Sequence, residues 1–496
     1  MDLSVLVFLS AGLFLGWSLG ANDAANVFGT AVGTRMVRFG LAATVCSIFV
    51  ILGAVFSGAG AAHTLGRLGA VDTLAGAGMA AFSAALTVYW MIKLGLSVST
   101  SQAIVGAIVG WNLFSDKPTD LEALLKIVAT WVICPLAAAF FAVILFLVVG
   151  KLVDLARLHI FRLDAYTRLG LILAGALGSY SLGANNIANV MGVFVGSNPF
   201  TGFSFGDHVG FSAIQQLFLL GAIAIAVGVF TYSKRVMMTI GTRLFPLSPL
   251  AAWVAVVAHS IVLILFASEG LERILASNGL PTIPLVPVSS SQAVVGAVIG
   301  IGLWKGAHGI QWRVLGSIAI GWVTTPIAAG VVCFISLFFL QNVFNQEVFE
   351  EHRYSINTLV VEKLEDLGAD SPGVRALVGR RFKNWTTLRE TLQSTPGYDP
   401  STEAVIHEVA KVEPVTITLG KLYRLDRSYY TPEQIAALWS LAGDHFFHRW
   451  RFEDTLAHDA LAWRDPPDTP ENQPAIRRLQ EQREAAFRLF KDRLQD

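Results

Sequence analysis

Two polar stretches inside apolar segments carry residues that could bind ions. Residues 20–34 (GANDAANVFGTAVGT) end an apolar run that begins at residue 3, and they include Asn22, Asp23 and Asn26. A carboxylate in hydrocarbon costs about 2.5–3.5 kcal/mol on insertion scales, so such groups usually line a polar pathway. Asp23 is the only acidic residue inside an apolar segment of this sequence. Residues 183–197 (GANNIANVMGVFVGS) repeat the pattern, and their polar residues are Asn185, Asn186 and Asn189.

These stretches offer hard oxygen ligands. Gly20 and Gly29 permit local unwinding, which predicts a broken helix with free backbone carbonyls beside the polar side chains. Carbonyls together with one carboxylate suit Na⁺, whereas a buried carboxylate alone could equally carry H⁺. Because Asn186 stands at the position of Asp23, the two half-sites differ by one negative charge. The six residues therefore predict a coupling-ion site with Na⁺ and H⁺ both open, and no metal site beyond a transported Na⁺.

A second pair of motifs supplies hydroxyl groups. Residues 97–110 (SVSTSQAIVGAIVG) match residues 287–300 (PVSSSQAVVGAVIG), and each copy opens a Gly-rich apolar helix. Hydroxyl donors and the unpaired amides of a helix N-terminus can bind a tetrahedral oxyanion without a fixed positive charge. Isolated hydroxyls in membrane helices more often serve packing, but packing does not require the polar residues of the first motif. The candidate anion ligands are Ser99, Thr100, Ser101, Gln102, Ser289, Ser290, Ser291 and Gln292.

The elements that position these motifs come from an internal duplication. About ten apolar stretches recur along residues 3–340, most of them near the ~20 residues that a spanning helix needs. A third match, TWVICP at residues 130–135 and GWVTTP at 321–326, follows the other two in the same order. An odd number of crossings in each copy would invert the second copy relative to the first. The two segments that open with hydroxyls are short and could be hairpin arms.

We therefore predict an all-α polytopic membrane protein. It consists of two inverted repeats of about five membrane segments each, with broken helices and hairpins, plus a mainly helical soluble C-terminal domain. Within that domain, Ser371-Pro372 and Thr431-Pro432 predict helix starts, and residues 410–420 predict a short strand. The predicted boundaries are residues 1–150 for membrane repeat 1, 151–169 for a basic inter-repeat loop, 170–341 for membrane repeat 2 and 342–496 for the soluble domain.

Composition supports this division. The chain of 496 residues is 54% hydrophobic with a mean hydropathy of +0.57, which indicates an integral membrane protein. Residues 1–340 hold 16 Lys/Arg and 11 Asp/Glu, whereas residues 341–496 hold 20 and 25. The net charge of zero gives no indication of nucleic-acid binding. No apolar segment combines a nucleophile with a base or a metal cluster, so we expect neither an enzyme nor a cofactor.

Charge in the loops predicts the orientation. With the N-terminus outside, the loops on the inner side carry most of the basic residues of the membrane part. We therefore predict a multi-pass protein of the cell membrane with its N-terminus outside and its C-terminal domain on the outer face. The expected partners are an anion and the lipid bilayer. A homodimer and an unidentified partner of the C-terminal domain remain open.

The paired motifs resemble those of the inorganic phosphate transporter (PiT) family of sodium- or proton-coupled phosphate permeases. GANDAAN with its GANNIAN copy, and VSTSQ with PVSSSQ, carry this resemblance over residues 1–340. It implies an inverted-repeat fold in which phosphate lies between the hydroxyl-rich tips and the broken helices, with coupling ions alongside. Two positions depart from the family pattern: Asn186 stands where Asp is usual, and Ser97 where the second copy has Pro287.

The resemblance implies a secondary active transporter that imports inorganic phosphate by cation symport, with Na⁺ favoured over H⁺. In this interpretation the Asn and Asp residues bind the cation and substrate, and the hydroxyl and Gln residues bind phosphate. One alternative is a permease for sulfate or another oxyanion, since some relatives carry sulfate. Another alternative is a membrane phosphate sensor that signals through the C-terminal domain.

Overall fold

The computed structural model describes residues 3–68, 71–94, 98–157, 159–200, 203–205, 209–243, 247–307, 310–350, 352–425, 429–469 and 472–492. These residues are mostly helical and divide into two compact units. The membrane unit comprises Met1–Thr201, Ser212–Leu275 and Gly279–Phe349. The C-terminal unit comprises Gly202–Phe211, Ala276–Asn278 and Glu350–Asp496.

The helices of the membrane unit follow the duplicated sequence. We call residues 3–156 copy 1 and residues 160–342 copy 2. Copy 1 contains α1 (Leu3–Gly33), α2 (Phe39–Ser57), α3 (Ala59–Leu68), α4 (Leu74–Lys93), α5 (Thr100–Ser115) and α6 (Leu121–Ala156). Copy 2 contains α7 (Ile160–Met191), α8 (Ala213–Thr231), α9 (Ser233–Arg243), α10 (Pro249–Ala267), α11 (Glu269–Ser277), α12 (Ser290–Trp304) and α13 (Trp312–Asn342). The short strands β1 (Phe203–Phe205) and β2 (Val209–Phe211) form an antiparallel pair between α7 and α8.

Seven helices in the described part of the chain are long and apolar enough to cross a membrane, namely α1, α2, α4, α6, α8, α10 and α13. The chain is therefore a multi-pass membrane protein. In the most apolar windows of α6 and α13 only 17% and 22% of residues are buried, against 67% in α10. Exposed apolar side chains on α6 and α13 suit a surface that faces hydrocarbon. Helices α5 and α12 have 16 and 15 residues, fewer than the ~20 needed to span a bilayer.

The predicted helix breaks are wrong. Helix α1 continues from Leu3 to Gly33 through the whole first motif, and α7 continues to Met191 before a short 3₁₀ turn. The glycines instead permit close helix packing. A Cβ atom on Gly20 would lie 2.0 Å from the carbonyl oxygen of Ile225, and one on Gly183 would lie 2.1 Å from that of Val50. The glycines thus let helix backbones touch, and the carbonyls stay within the helices.

The two short helices α5 and α12 pack in matching ways on the opposite copies. A Cβ on Gly106 of α5 would lie 2.0 Å from the carbonyl oxygen of Pro326 in α13. Likewise, a Cβ on Gly296 of α12 would lie 2.2 Å from the carbonyl oxygen of Pro135 in α6. Each short helix therefore crosses the long proline-containing helix of the other copy at a glycine. The duplicated sequence motifs make duplicated contacts.

The part of the C-terminal unit that follows Phe349 is made of short helices and strands. Its helices are α14 (Thr358–Asp366), α15 (Pro372–Arg375), α16 (Trp385–Ser394), α17 (Glu403–Ala410), α18 (Leu419–Leu422), α19 (Pro432–Ser440), α20 (Arg449–Asp459) and α21 (Gln473–Phe490). Its strands are β3 (Arg353–Ser355), β4 (Arg381–Phe382), β5 (Lys411–Val412), β6 (Val415–Thr416) and β7 (His445–Phe446). They pair antiparallel as β4-β3-β5 and β6-β7.

The structure agrees with the predicted helix starts and the predicted strand in this unit. Thr431 caps α19 in a capping box with Gln434, Ser371 precedes α15, and strands β5 and β6 lie in residues 410–420. Two apolar clusters fill the unit, one around Trp385 and one around Trp463. These clusters give the C-terminal unit apolar cores of its own.

Candidate functional site

All fourteen predicted site residues are buried, with at most 5% of any one exposed. They come from two pairs of elements: the middle of α1 and the end of α7, and the starts of α5 and α12. Buried polar side chains need hydrogen-bond partners, so their contacts show which residues the fold brings together.

The hydroxyl-rich ends are built alike. Ser99 is the N-cap of α5 and its Oγ accepts a hydrogen bond from the amide of Gln102 at 3.3 Å. Ser289 is the N-cap of α12 and accepts from the amide of Gln292 at 3.3 Å. Serine is a preferred N-cap because its side chain satisfies one unpaired amide of the first turn. Each cap hydroxyl keeps its own hydrogen for another acceptor.

The two helix ends are joined to each other. Ser101 Oγ donates to the carbonyl oxygen of Val288 at 3.1 Å, and Ser291 Oγ donates to that of Val98 at 3.0 Å. These matching bonds link the start of α5 to the segment before α12, and the start of α12 to the segment before α5. The hydroxyl hydrogens of Ser101 and Ser291 are thereby committed to the backbone.

Asparagines of α1 and α7 donate hydrogen bonds to the starts of α12 and α5, so each bond joins one copy to the other. Asn26 Nδ2 in α1 donates to Ser290 Oγ at 3.0 Å and to Ser291 Oγ at 3.4 Å. Asn189 Nδ2 in α7 donates to Ser101 Oγ at 2.7 Å. Helix α1 of copy 1 therefore contacts α12 of copy 2, and α7 of copy 2 contacts α5 of copy 1. The predicted cation ligands and the predicted anion ligands meet at one place.

Asp23 lies among amides. Asn22 Nδ2 donates to Asp23 Oδ1 at 2.7 Å, and Asn186 Nδ2 in the other copy donates to Asp23 Oδ2 at 3.4 Å. Asn189 Nδ2 also donates to Asn186 Oδ1 at 3.3 Å. Within the ranges that the structure describes, no basic side chain pairs with Asp23. Two weakly polarised amides leave most of a carboxylate charge uncompensated, so the group suits a bound cation or a proton.

Asn185 differs from the other motif residues. Its Oδ1 accepts from the amide of Val288 at 3.0 Å, and its Nδ2 donates to the carbonyl oxygen of Val286 at 3.5 Å. The side chain thus holds the extended segment that leads into α12. This arrangement positions Ser289 and Ser290 and uses both ends of the Asn185 amide.

Three buried oxygen atoms of the site have no hydrogen-bond partner among the described residues: Gln102 Oε1, Gln292 Oε1 and Asn189 Oδ1. A buried acceptor without a partner costs about 1–3 kcal/mol. The two Gln oxygens occupy equivalent positions at the starts of α5 and α12. They are available to a ligand that carries a hydrogen-bond donor.

His259 also lies at the site, although it belongs to neither duplicated motif and was not among the predicted site residues. This residue is fully buried in α10, and its Nε2 lies 2.9 Å from Ser290 Oγ. Its sequence signal was a histidine in the middle of the apolar stretch at residues 249–268. Cys134, in the TWVICP motif, is a second missed neighbour, with Sγ 3.7 Å from the carbonyl oxygen of Ser289.

The sequence matches the model of the phosphate transporter family over residues 19–272 and 274–480. This match reaches beyond residue 340 into the C-terminal unit. A Methanocaldococcus jannaschii protein named as a phosphate permease is 27% identical over 335 residues, 68% of this chain and 97% of that protein. The sulfate permease of Bacillus subtilis is 28% identical over 348 residues, 68% of this chain and 88% of its own.

The fold also resembles that of a solved structure of a sodium-dependent phosphate transporter. The two share a TM-score of 0.53 and 21% sequence identity. The likeness covers 68% of this chain and 100% of the solved one. The shared architecture is therefore about as long as the membrane unit.

Proposed function

The chain belongs to the phosphate transporter family. We propose that it imports inorganic phosphate by secondary active cation symport. The supporting observation is that hydrogen bonds join the starts of α5 and α12 to α1 and α7. Asn26 bonds Ser290, Asn189 bonds Ser101, and Asn186 bonds Asp23. An anion at the helix ends and a cation beside Asp23 would each offset the charge of the other. Neither would then enter the apolar interior as an uncompensated charge.

In this proposal the anion lies at the N-termini of α5 and α12. Ser99 and Ser289 donate their free hydroxyl hydrogens, and the amides of the first helical turns add partial positive charge. Thr100 and Ser290 follow the caps in the first turn, while Ser101 and Ser291 fix the two ends against each other. The cation lies beside Asp23, with the side-chain oxygens of the motif asparagines as further ligands. Na⁺ is favoured over H⁺ because amide and carboxylate oxygens can coordinate Na⁺ together.

We further propose that copies 1 and 2 are inverted repeats and that transport proceeds by alternating access. The matching contacts of Gly106 and Gly296 with the opposite copies support two equivalent halves. A site made by both halves opens to one side or the other when the halves rock. This function needs no catalytic group or resident cofactor.

The sulfate permease among the relatives favours sulfate as a second candidate substrate. Phosphate at neutral pH carries one or two P–OH hydrogens that need acceptors, whereas sulfate carries none. The unpartnered Oε1 atoms of Gln102 and Gln292 supply such acceptors and support phosphate. A site for sulfate would be better served by donors alone.

Uptake of labelled phosphate into proteoliposomes under an imposed Na⁺ gradient tests the proposal, with a pH gradient and sulfate competition in parallel. We expect accumulation that Na⁺ drives and that sulfate does not inhibit. Replacing both glutamines by Met keeps their approximate volume and removes the acceptors, so it should lower the preference for phosphate over sulfate. Accumulation of sulfate by the wild-type protein, without accumulation of phosphate, would refute phosphate as the substrate.

We also propose that the N-terminus and the C-terminal unit lie on the outer face of the cell membrane. The three cysteines, Cys46, Cys134 and Cys333, are all buried in membrane helices. A single new cysteine at exposed Lys383 should therefore be labelled selectively. Labelling of Lys383→Cys in whole cells by an impermeant maleimide would support the outer location, and labelling only after permeabilisation would refute it.

A further inference from the structure

The hydroxyl of Ser290 has an unusual set of neighbours. It lies at the start of α12, and its oxygen is within hydrogen-bond distance of Asn26 Nδ2 at 3.0 Å and His259 Nε2 at 2.9 Å. A serine hydroxyl has one hydrogen and two acceptor positions. Asn26 fills one acceptor position because an amide nitrogen can only donate. The state of His259 therefore decides whether the Ser290 hydrogen is free.

The burial of His259 selects its tautomer. Its Nδ1 is buried and has no partner among the described residues. If Nδ1 carried the hydrogen, a buried N–H donor would be left unpaired, which is rarer in proteins than an unpaired acceptor. The Nε2–H tautomer leaves only an unpaired acceptor at Nδ1 and donates to Ser290. Ser290 then accepts two hydrogen bonds, and its own hydrogen remains for a third group.

We propose that His259 is a positioning residue for the transported anion. It fills the second acceptor position of Ser290, so that the Ser290 hydroxyl donates its hydrogen to the anion. This inference rests on the proposed function and adds a specificity determinant outside the duplicated motifs. Without His259, the Ser290 hydrogen could rotate toward a protein acceptor and be lost to the anion.

Among the described residues, copy 1 shows no equivalent arrangement. Helix α4 contains no histidine. Among the neighbouring hydroxyls, those of Ser101 and Ser291 already donate to backbone carbonyls. Ser290 therefore stands out as a hydroxyl that two side chains hold as an acceptor. His259 makes the copy 2 half of the anion site a stronger donor than its duplicated sequence alone would.

The test is a mutant cycle on phosphate uptake in proteoliposomes under a Na⁺ gradient, with KM and maximal rate measured separately. His259→Leu should raise the KM for phosphate about three- to tenfold, the effect of one hydrogen bond. His259→Gln, whose terminal amide can donate near the position of Nε2, should restore KM to within about twofold. Ser260→Ala is the matched control, because Ser260 is buried on the same helix and its one hydrogen bond among the described residues is to the carbonyl oxygen of Val256 in that helix.

Ser290→Ala separates this role from a purely structural one. If His259 acts through the Ser290 hydroxyl, His259→Leu should cause no further rise in KM in the Ser290→Ala background. An equal rise in both backgrounds, or a wild-type KM for His259→Leu, would overturn the inference while leaving the proposed function standing. Absence of wild-type phosphate uptake would overturn both. Size-exclusion profiles and melting temperatures of the purified variants identify any loss of folding.

Discussion

Helices α1 and α7 make matching contacts but bring different charges to the site. Asn26 of α1 bonds the start of α12, and Asn189 of α7 bonds the start of α5. Between these shared contacts, α1 carries Asp23 where α7 carries Asn186. His259 of copy 2 adds a second difference, because its Nε2 lies 2.9 Å from Ser290 Oγ and no such contact occurs among the described residues of copy 1. The packing contacts of the two halves are thus duplicated, whereas the carboxylate of Asp23 and the imidazole of His259 are not.

This comparison suggests a division of labour. In the proposed function, the shared features, namely the serine caps, the reciprocal hydroxyl bonds and the glycine crossings, would bind one anion from both sides. The single carboxylate would then provide one cation position rather than two equivalent ones. Substitutions at the shared serines and glycines should therefore have similar effects in both copies. Substitution of the charged residue Asp23 should have an effect that substitution of Asn186 does not reproduce.

The largest effect is expected from Asp23→Asn. The substitution keeps the shape of the side chain and removes the negative charge that we propose binds the cation, so Na⁺-driven accumulation of phosphate should fall on the order of 100-fold. Asp154→Asn, the same change at an exposed position of α6, serves as the control and should transport normally. Wild-type accumulation by Asp23→Asn would remove Asp23 from the coupling mechanism and end the contrast between the copies.

Glycine substitutions test the shared packing. Gly106→Ala and Gly296→Ala would each place a Cβ about 2 Å from a backbone oxygen of the opposite copy. Overpacking of this kind costs typically about 1–3 kcal/mol, so both variants should melt at lower temperature in detergent, by similar amounts. Gly316→Ala has no atom within 4 Å of the new Cβ and should not lower the melting temperature. Destabilisation of one variant only would mean that the two crossings are not equivalent.

Asn186→Asp makes the charges of the two copies equal. Asn186 Nδ2 is 3.4 Å from Asp23 Oδ2, so the substitution would bring two carboxylates together, and their repulsion favours a cation or proton between them. We expect a several-fold change in the Na⁺ concentration that half-saturates uptake. An unchanged Na⁺ titration would indicate that Asn186 does not contact the ion.

Deletion of residues 350–496, the part of the C-terminal unit that follows Phe349, should have the smallest effect on uptake. The truncation belongs after Phe349, because the carbonyl oxygen of Val348 accepts a hydrogen bond at 2.9 Å from the indole of Trp111 in α5. With this cut, we expect uptake within about twofold of the full-length protein, since the candidate site lies wholly in the membrane unit. Loss of uptake with intact folding would favour a regulatory or sensing role for the deleted residues.

Two groups in the C-terminal unit predict how its own stability depends on pH. Burial raises the pKa of the Glu484 carboxyl, but Arg449 and Arg488 outweigh it and hold the pKa below its usual value. Burial lowers the pKa of His448. Both groups bind protons more weakly in the folded state, so stability is full above about pH 6.5 and falls as the solution is acidified. Thermal unfolding of the full chain between pH 7 and pH 4, followed by tryptophan fluorescence, measures this loss.

Local motifs were predictable because their causes are local. Ser99 and Ser289 cap their helices as the preference of serine for that position predicts, and Thr431 with Pro432 and Gln434 starts α19 for the same reason. The duplicated motifs also predicted which polar residues would be buried together. Their matching spacing carried that information without any knowledge of the fold.

Other features depend on contacts that a sequence does not display. Glycines in a membrane helix suit both unwinding and close packing, and only the backbone of Ile225 against Gly20 shows that packing applies here. The bond from Asn26 to Ser290 joins residues 264 positions apart. His259 became relevant only when the fold placed α10 beside the start of α12, since one histidine in an apolar stretch has no defined partner.

The most direct test measures the uptake of Na⁺ and phosphate together in the same proteoliposomes. ²²Na⁺ and ³²P-phosphate report these two fluxes, and a pH-sensitive dye inside the vesicles reports H⁺. Wild-type protein should move phosphate with a fixed number of cations, and Asp23→Asn should lose the cation flux and the phosphate accumulation together. Phosphate entry that continues at the wild-type rate in Asp23→Asn, with neither Na⁺ nor H⁺ accompanying it, would contradict cation coupling at Asp23.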